Sequence, residues 1–127
     1  MKDVQTLVEL LLAHRRTRRH IGYLEGEDLE RRVTYAELCE RALGILWRLQ
    51  RRGAARGDHL ILFLSNNEAF IDGFWAALAG GIVPVPVAVG ISDGHRWKLL
   101  RLARQLGEPW LHPARKGPQK PRAFAPD

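Results

Sequence analysis

The chain has 127 residues, with 20 Lys and Arg against 14 Asp and Glu for a formal net charge of +6, and 46% of its residues are hydrophobic. This length suits one domain, and the apolar content can offset the entropy of ordering, which excludes disorder throughout. The single cysteine, Cys39, excludes an intrachain disulfide framework and a zinc site built on cysteines. Composition therefore predicts one small, basic α/β or α+β domain from a reducing compartment, with the cytoplasm as the expected location.

The N-terminal third predicts a helix followed by a β-hairpin. Asp3 offers an N-cap, and one helical face would carry five apolar residues: Val4, Leu7, Val8, Leu11 and Leu12. Residues 20–25 alternate in polarity, Gly26-Glu27-Asp28 forms a turn, and residues 29–33 form a second extended run. This order predicts a helix packed beside a two-stranded antiparallel unit.

A capping box opens the next predicted helix, since Thr34 is followed three residues later by Glu37. The helix would end at Gly53 and bury one apolar stripe: Leu38, Ala42, Ile45, Leu46 and Leu49. Residues 59–64 follow as a run of apolar residues after His59, which is typical of a strand buried on both faces in a parallel sheet.

The pattern of helix and buried strand then repeats. Residues 65–68 offer N-caps for a helix with an apolar side of Phe70, Ile71, Phe74, Trp75 and Leu78. Gly80-Gly81 would stop it, and residues 82–89 form an extended run that Pro84 and Pro86 keep short or bulged. Asp93 caps a last helix to Leu106, with an apolar set of Trp97, Leu99, Leu100, Ala103 and Leu106, and a strand begins at Trp110. The order predicts a βαβ architecture.

Two segments need separate interpretation. The uncharged stretch 73–92 is long enough to cross a bilayer, but Gly80-Gly81, Pro84 and Pro86 interrupt it, so a helix followed by a buried strand explains it better than a membrane span. The last residues are rich in proline and basic side chains without a period. The predicted organisation is therefore an α/β unit over 1–111 and a disordered proline-rich basic tail over 112–127.

No side-chain constellation in the sequence indicates catalysis. Neither a Walker-type nor a dinucleotide-binding glycine loop occurs, and the five histidines (His14, His20, His59, His95 and His112) lack metal-ligand spacing. Cys39 has no nearby histidine and is interpreted as a structural thiol, while Ser65, Asn66 and Asn67 are interpreted as helix caps rather than a catalytic cluster.

The arginine-rich and tryptophan residues are interpreted conservatively. Four arginines (Arg15, Arg16, Arg18 and Arg19) could bind phosphates, but without interleaved aromatic residues they are expected to form a solvated helix end. Four tryptophans (Trp47, Trp75, Trp97 and Trp110) are expected in the core or an interface rather than stacked on bases. From the residues alone, the sequence predicts an α/β domain without a visible active site.

One long stretch resembles a known superfamily. The run Thr34-Tyr35-Ala36-Glu37-Leu38, the segment 52–58 ending in Gly57-Asp58, and the later run Gly80-Gly81-Ile82-Val83-Pro84-Val85-Pro86 resemble the N-terminal region of acyl-adenylate-forming enzymes, the AMP-dependent synthetases and ligases. The resemblance covers about residues 3–111. Residues 93–106, with His95-Arg96-Trp97-Lys98, are similar to the fatty-acyl-AMP ligase branch and related loading domains.

The resemblance implies activation of a carboxylate by ATP, with magnesium, to an acyl-adenylate with release of pyrophosphate. In that family the reaction depends on a phosphate loop, adenine-binding residues and a lysine on a mobile domain, and none of these motifs occurs here. We therefore assign no catalytic, cofactor-binding or metal-binding residue, and expect no cofactor on this chain alone. Because the likeness fades after Leu111, a truncated or frame-shifted reading frame is the hypothesis for the tail.

Three functional hypotheses remain open. The first is an inactive N-terminal fragment of an acyl-adenylating ligase, whose uncovered apolar surface would favour self-association. The second is an interaction module that docks on a separately encoded ligase remainder or an acyl-carrier protein. The third, a nucleic-acid binder, is based only on the charge of +6 and is not expected.

Overall fold

The computed structural model describes residues 5–27, 29–64, 66–87 and 93–113. In chain order the elements are α1 (Leu7–His14), β1 (His20–Glu25), β2 (Leu29–Thr34), α2 (Tyr35–Arg51), β3 (His59–Phe63), α3 (Asn67–Ala79), β4 (Val83–Pro86), α4 (Asp93–Gln105) and β5 (Trp110–Pro113). Strands β1 and β2 pair antiparallel, and β4-β3-β5 form a parallel sheet in that order. The predicted α/β class, hairpin and βαβ order are confirmed.

The first helix begins later than the sequence pattern predicts. Thr6 is its N-cap, and the Thr6 hydroxyl accepts a hydrogen bond from the Glu9 amide at 3.1 Å. The predicted cap, Asp3, lies outside the described residues. Leu11 is buried, whereas Leu7 and Leu12 are 53% and 42% exposed, so the predicted apolar face is wrong for those two residues. A helix of this length presents only one narrow face to α2 and α3.

Helix α2 follows its sequence pattern closely. The Thr34 hydroxyl accepts from the Glu37 amide at 3.1 Å, which satisfies one of the first amides of the helix. The predicted apolar stripe is buried along its whole length (Leu38, Ala42, Ile45, Leu46 and Leu49). This stripe anchors the helix on the core.

The parallel sheet is covered by helices on both faces. Leu60 and Leu62 pack with residues of α2 and α3 on one face, and Ile61 packs with residues of α4 on the other. These three side chains have no exposed surface, as expected for the central strand of a parallel sheet. The prediction that β3 is buried on both faces is confirmed.

Helix α3 is buried along a different face from the one predicted. Its buried residues are Asp72, Gly73, Ala76 and Ala77, while the predicted aromatic residues are only half-buried. The reason is close packing: a Cβ at Gly73 would lie 2.9 Å from Leu62 Cδ2 and 3.0 Å from His112 Cδ2. Small residues therefore let the helix lie directly on the sheet, and the larger ones flank it.

Prolines shape β4. The amides of Val83 and Val87 donate to Asp58 and Leu62 oxygens at 2.8 and 3.1 Å. Because successive amides in a strand alternate in direction, Pro84 and Pro86 occupy positions that face away from β3. The strand is short, as predicted, and its prolines remove no hydrogen bond from the sheet.

Two predictions for the C-terminal elements α4 and β5 are wrong. Trp97 is 60% exposed, so its predicted place on the apolar face of α4 is wrong; that face carries Leu99 and Ala103, and Trp97 is out of phase with them. Strand β5 includes His112 and Pro113, which the predicted boundary assigned to the tail. The remaining tail, 114–127, lies outside the described residues. None of the described helices is long and apolar enough to cross a bilayer.

Candidate functional site

Parallel α/β sheets bind ligands beyond the carboxyl ends of their strands. At that edge, Asn66 follows β3, and its Oδ1 accepts from the Ala69 amide at 3.0 Å. Asn67 is the first residue of α3, and Ser65 lies outside the described residues. Asn66 is therefore the N-cap of α3, which confirms the capping interpretation for that residue.

A further polar side chain in this part of the described structure is His112 on β5. It is 7% exposed and lies under α3, where its ring would be 3.0 Å from a Cβ at Gly73. Burial, aided by the positive charge of Arg48, lowers the pKa of His112 to about 4. Its Nδ1 has no hydrogen-bond partner within the described ranges. This buried, neutral imidazole packs against α3 at Gly73.

A second polar group lies between the hairpin, α2 and α3, and we call it the buried polar cluster: Tyr23, Arg31, Arg41, Glu68 and Asp72. Glu68 Oε1 accepts a short hydrogen bond from Arg41 Nη1 and lies 3.2 Å from Arg31 Nη2. Asp72 Oδ2 lies 3.7 Å from Arg41 Nη1. The side chains of Glu68 and Asp72 are 14% and 12% exposed. One carboxylate thus joins two arginines from two different elements.

Burial and ion pairing both act on the charged groups of this cluster. Burial raises the pKa of Asp72, and the charge of Arg41 opposes the shift. The hydrogen bond to Glu68 raises the pKa of Arg41, while burial and then the charge of Asp72 raise the pKa of Tyr23. The Tyr23 hydroxyl and Asp72 Oδ1 are buried without a hydrogen-bond partner among the described residues. The cluster holds the hairpin against the helices by charge-assisted hydrogen bonds.

The buried polar cluster was missed in the sequence, although a signal for it was present. Glu68 and Asp72 are four residues apart and share one face of α3. Asp72 also interrupts an otherwise apolar helix, and a carboxylate at such a position requires a cationic partner. The sequence pattern does not show that the partners come from α2 and the hairpin.

The other candidate residues are spread over the fold. Cys39 is buried in α2, and the four arginines after α1 (Arg15, Arg16, Arg18 and Arg19) are exposed. Trp110 is in the core and Trp75 is half-buried. Trp47 and Trp97 are 57% and 60% exposed, so they lie outside the core, and an interface remains the prediction for these two.

The described side chains provide no cluster for the magnesium ion that accompanies ATP. Within the described ranges no three His, Cys, Asp or Glu side chains form a group that could hold a metal ion. The carboxylates of the buried polar cluster are already paired with arginines. We therefore derive no step through either group.

No protein-family model matches the chain. A curated relative, a salicylyl-CoA synthase / salicylate adenylyltransferase from a Streptomyces species, is 36% identical over 73 residues, which are 58% of this chain and 13% of the relative. The chain thus spans about an eighth of that relative's length.

Solved structures match more of the chain. The McyG A-PCP structure complexed with phenylalanyl-adenylate is 29% identical with a TM-score of 0.80, and the match covers 91% of this chain and 19% of that solved chain. A structure from work on fatty acyl-adenylate ligases of E. coli and L. pneumophila is 26% identical with a TM-score of 0.77, covering 90% of this chain and 21% of that ligase. The fold, the order of its elements and these similarities together show that the chain belongs to the acyl-adenylate-forming superfamily. It spans about one fifth of each of these two solved chains.

Proposed function

We propose that this chain supplies the N-terminal α/β segment of an ATP-dependent acyl-adenylating ligase and acts as scaffold, without adenylating activity of its own. One observation carries the proposal: 91% of the chain superimposes on an adenylation structure with a TM-score of 0.80. The polar side chains described at the carboxyl edge of the sheet serve capping and packing, which supports a scaffold role. ATP and magnesium would bind residues of the ligase beyond this segment, and the cytoplasm is the proposed location.

The first test measures adenylation directly. The purified chain is incubated with ATP, magnesium and a panel of salicylate, phenylalanine and fatty acids, with hydroxylamine to trap adenylate and a coupled assay for pyrophosphate. We expect release equal to the no-protein control. Release above it with any acid would show an ATP site on this chain and overturn the scaffold proposal.

The second test asks whether the segment supports catalysis in a ligase. The matching 73 residues of the salicylate relative are replaced by those of this chain, and salicylate-dependent pyrophosphate release is compared with the parent enzyme. We expect the folded chimera to keep activity, because scaffold residues position other groups without contacting substrate. A folded chimera with no activity would assign these residues a direct role. The same chimera with Gly73→Trp is the control, since it cannot pack α3 on the sheet.

A second candidate is an interaction module that docks on a separately encoded ligase remainder or an acyl-carrier protein. It is favoured by β5, which within the described residues pairs with β3 on one side only. A fatty acid is the proposed substrate of the assembled ligase, because the chain is similar to the fatty acyl-adenylate ligases. Light scattering on the chain alone and with candidate carrier proteins tests this alternative: a defined complex supports it, and unchanged mass in every mixture contradicts it.

A further inference from the structure

An apolar cavity of about 330 Å³ lies between α1, β1, α2 and α3. Its apolar lining comes from all four elements: Leu10, Leu11, Ile21, Leu38 and Trp75. The volume falls in the range of small-molecule sites. An engineered cavity of about 150 Å³ holds benzene, so this one has room for an apolar body of roughly eight to ten carbon atoms.

One end of the cavity is basic. Arg19 lines it, and Arg19 and Tyr35 also line an adjoining depression formed by the residues after α1, including Arg18 and His20. None of the described residues that line either space is acidic. Glu30 on the hairpin lies 4.0 Å from His20 Nε2 and 3.5 Å from Arg32 Nη2. Among the described residues, no carboxylate forms an ion pair with Arg19. The charge at this rim is therefore positive and available to an anion.

The rim is also held in place by the fold. The Arg19 carbonyl accepts from the Tyr35 amide at 3.1 Å, which ties the loop after α1 to the start of α2. The His14 ring, which also lines the cavity, donates from Nδ1 to the Leu10 carbonyl at 2.9 Å. Because these bonds fix the backbone of the loop and one wall, the Arg19 backbone keeps a defined position beside the apolar cavity.

We propose that this cavity binds an amphipathic carboxylate, with its apolar body against Leu11, Leu38 and Trp75 and its carboxylate on Arg19. The combination of an apolar wall with one cation at the mouth selects an anion that carries a hydrocarbon or aryl body. Inorganic anions lack the body, and neutral alcohols lack the charge. The site does not depend on the proposed scaffold function, because every group in it belongs to this chain.

The test is an NMR titration of the full 15N-labelled chain at pH 7.5 with octanoate, 1-octanol and octyltrimethylammonium. A ligand of this size is expected to bind with a Kd on the order of 1 mM. We expect octanoate to shift amides around the cavity at one site, 1-octanol to bind about tenfold more weakly, and the cation not to bind. Equal affinity for octanoate and octanol, or no localised shifts, would overturn the proposal.

Two pairs of surface variants keep the test independent of folding. Arg19→Gln should weaken octanoate about tenfold and leave octanol unchanged, whereas Arg16→Gln, which removes the same charge outside the cavity, should change neither by more than about twofold. Leu10→Trp fills the mouth and should abolish binding, whereas Leu12→Trp at a similarly exposed position should not. If the two variants of either pair changed octanoate binding equally, the proposed binding site would be contradicted.

Vesicles containing phosphatidylglycerol form the last arm of the experiment. The arginines after α1 could bind anionic lipid headgroups at a surface without using the cavity. Vesicle binding that is insensitive to Leu10→Trp, with no shifts on adding octanoate, would assign the basic loop to membranes and overturn the proposal. Octanoate binding that is lost in Leu10→Trp supports it.

Discussion

Replacing Gly73 tests how closely α3 packs on the sheet. In a helix interior, Gly→Ala normally stabilises by about 1 kcal/mol, because alanine loses less backbone entropy. At Gly73 the added methyl would lie 2.9 Å from Leu62 Cδ2 and 3.0 Å from His112 Cδ2, and Leu62 is fully buried and cannot move aside freely. Overpacking of this kind costs about 1–3 kcal/mol. Gly73→Ala is therefore expected to leave stability unchanged or reduce it by up to about 2 kcal/mol.

The matched control is Gly44→Ala. Gly44 lies inside α2, and a Cβ there would meet no atom within 4 Å, so this variant should show the helix-propensity gain of about 1 kcal/mol alone. Urea unfolding followed by far-UV ellipticity gives the free energy of unfolding of both variants. The expected difference is about 1–3 kcal/mol in favour of Gly44→Ala. Equal stabilisation by the two substitutions would refute the close packing of α3 on the sheet.

Three further predictions concern charge, protonation and capping. Glu68→Gln should cost about 1–3 kcal/mol of unfolding free energy, because Glu68 joins two arginines while largely buried, whereas exposed Glu30→Gln should cost under about 0.5 kcal/mol. The folded pKa of His112, about 4, lies below its unfolded value of 6.5, so the unfolded state binds more protons between these values; stability should fall with decreasing pH by up to about 1.4 kcal/mol per pH unit. Urea unfolding at several pH values in this range should show that the free energy of unfolding changes less steeply with pH in His112→Leu than in the unmodified chain. An identical dependence on pH would contradict the lowered pKa of His112. Asn66→Ala should cost about 1 kcal/mol in thermal or urea unfolding by removing the cap of α3, and more than Asn67→Ala.

Sequence reasoning succeeded where local signals dominate. The capping box at Thr34 and the apolar stripe of α2 predict that helix because both depend on residues within a few positions of each other. The continuous apolar run of β3 likewise predicts burial on two faces. These elements needed no knowledge of their partners.

The predictions from the sequence failed where packing between separate elements determines which residues are buried or paired. The aromatic residues of α3 were predicted to face the core, but the helix approaches the sheet closely enough that only small residues fit between them, including Gly73. The buried polar cluster joins elements far apart in the chain, such as Arg41 to Glu68 and Asp72, and spacing within one helix does not show those partners. The apolar cavity has the same origin, since four separate elements form it.

The prolines of β4 determine at which edge the parallel sheet can pair with a further strand. On its outer side β4 presents carbonyl groups at Pro84 and Pro86 but no amide donors, so an incoming strand could not complete a ladder there. Open-ended stacking of copies requires that each molecule can pair with a further strand at both edges of its sheet. The β4 edge cannot pair in this way, because its two outward positions are prolines. Strands added to the parallel sheet, from the same polypeptide or from another, are therefore confined to its β5 side, which limits association through this sheet to closed pairs.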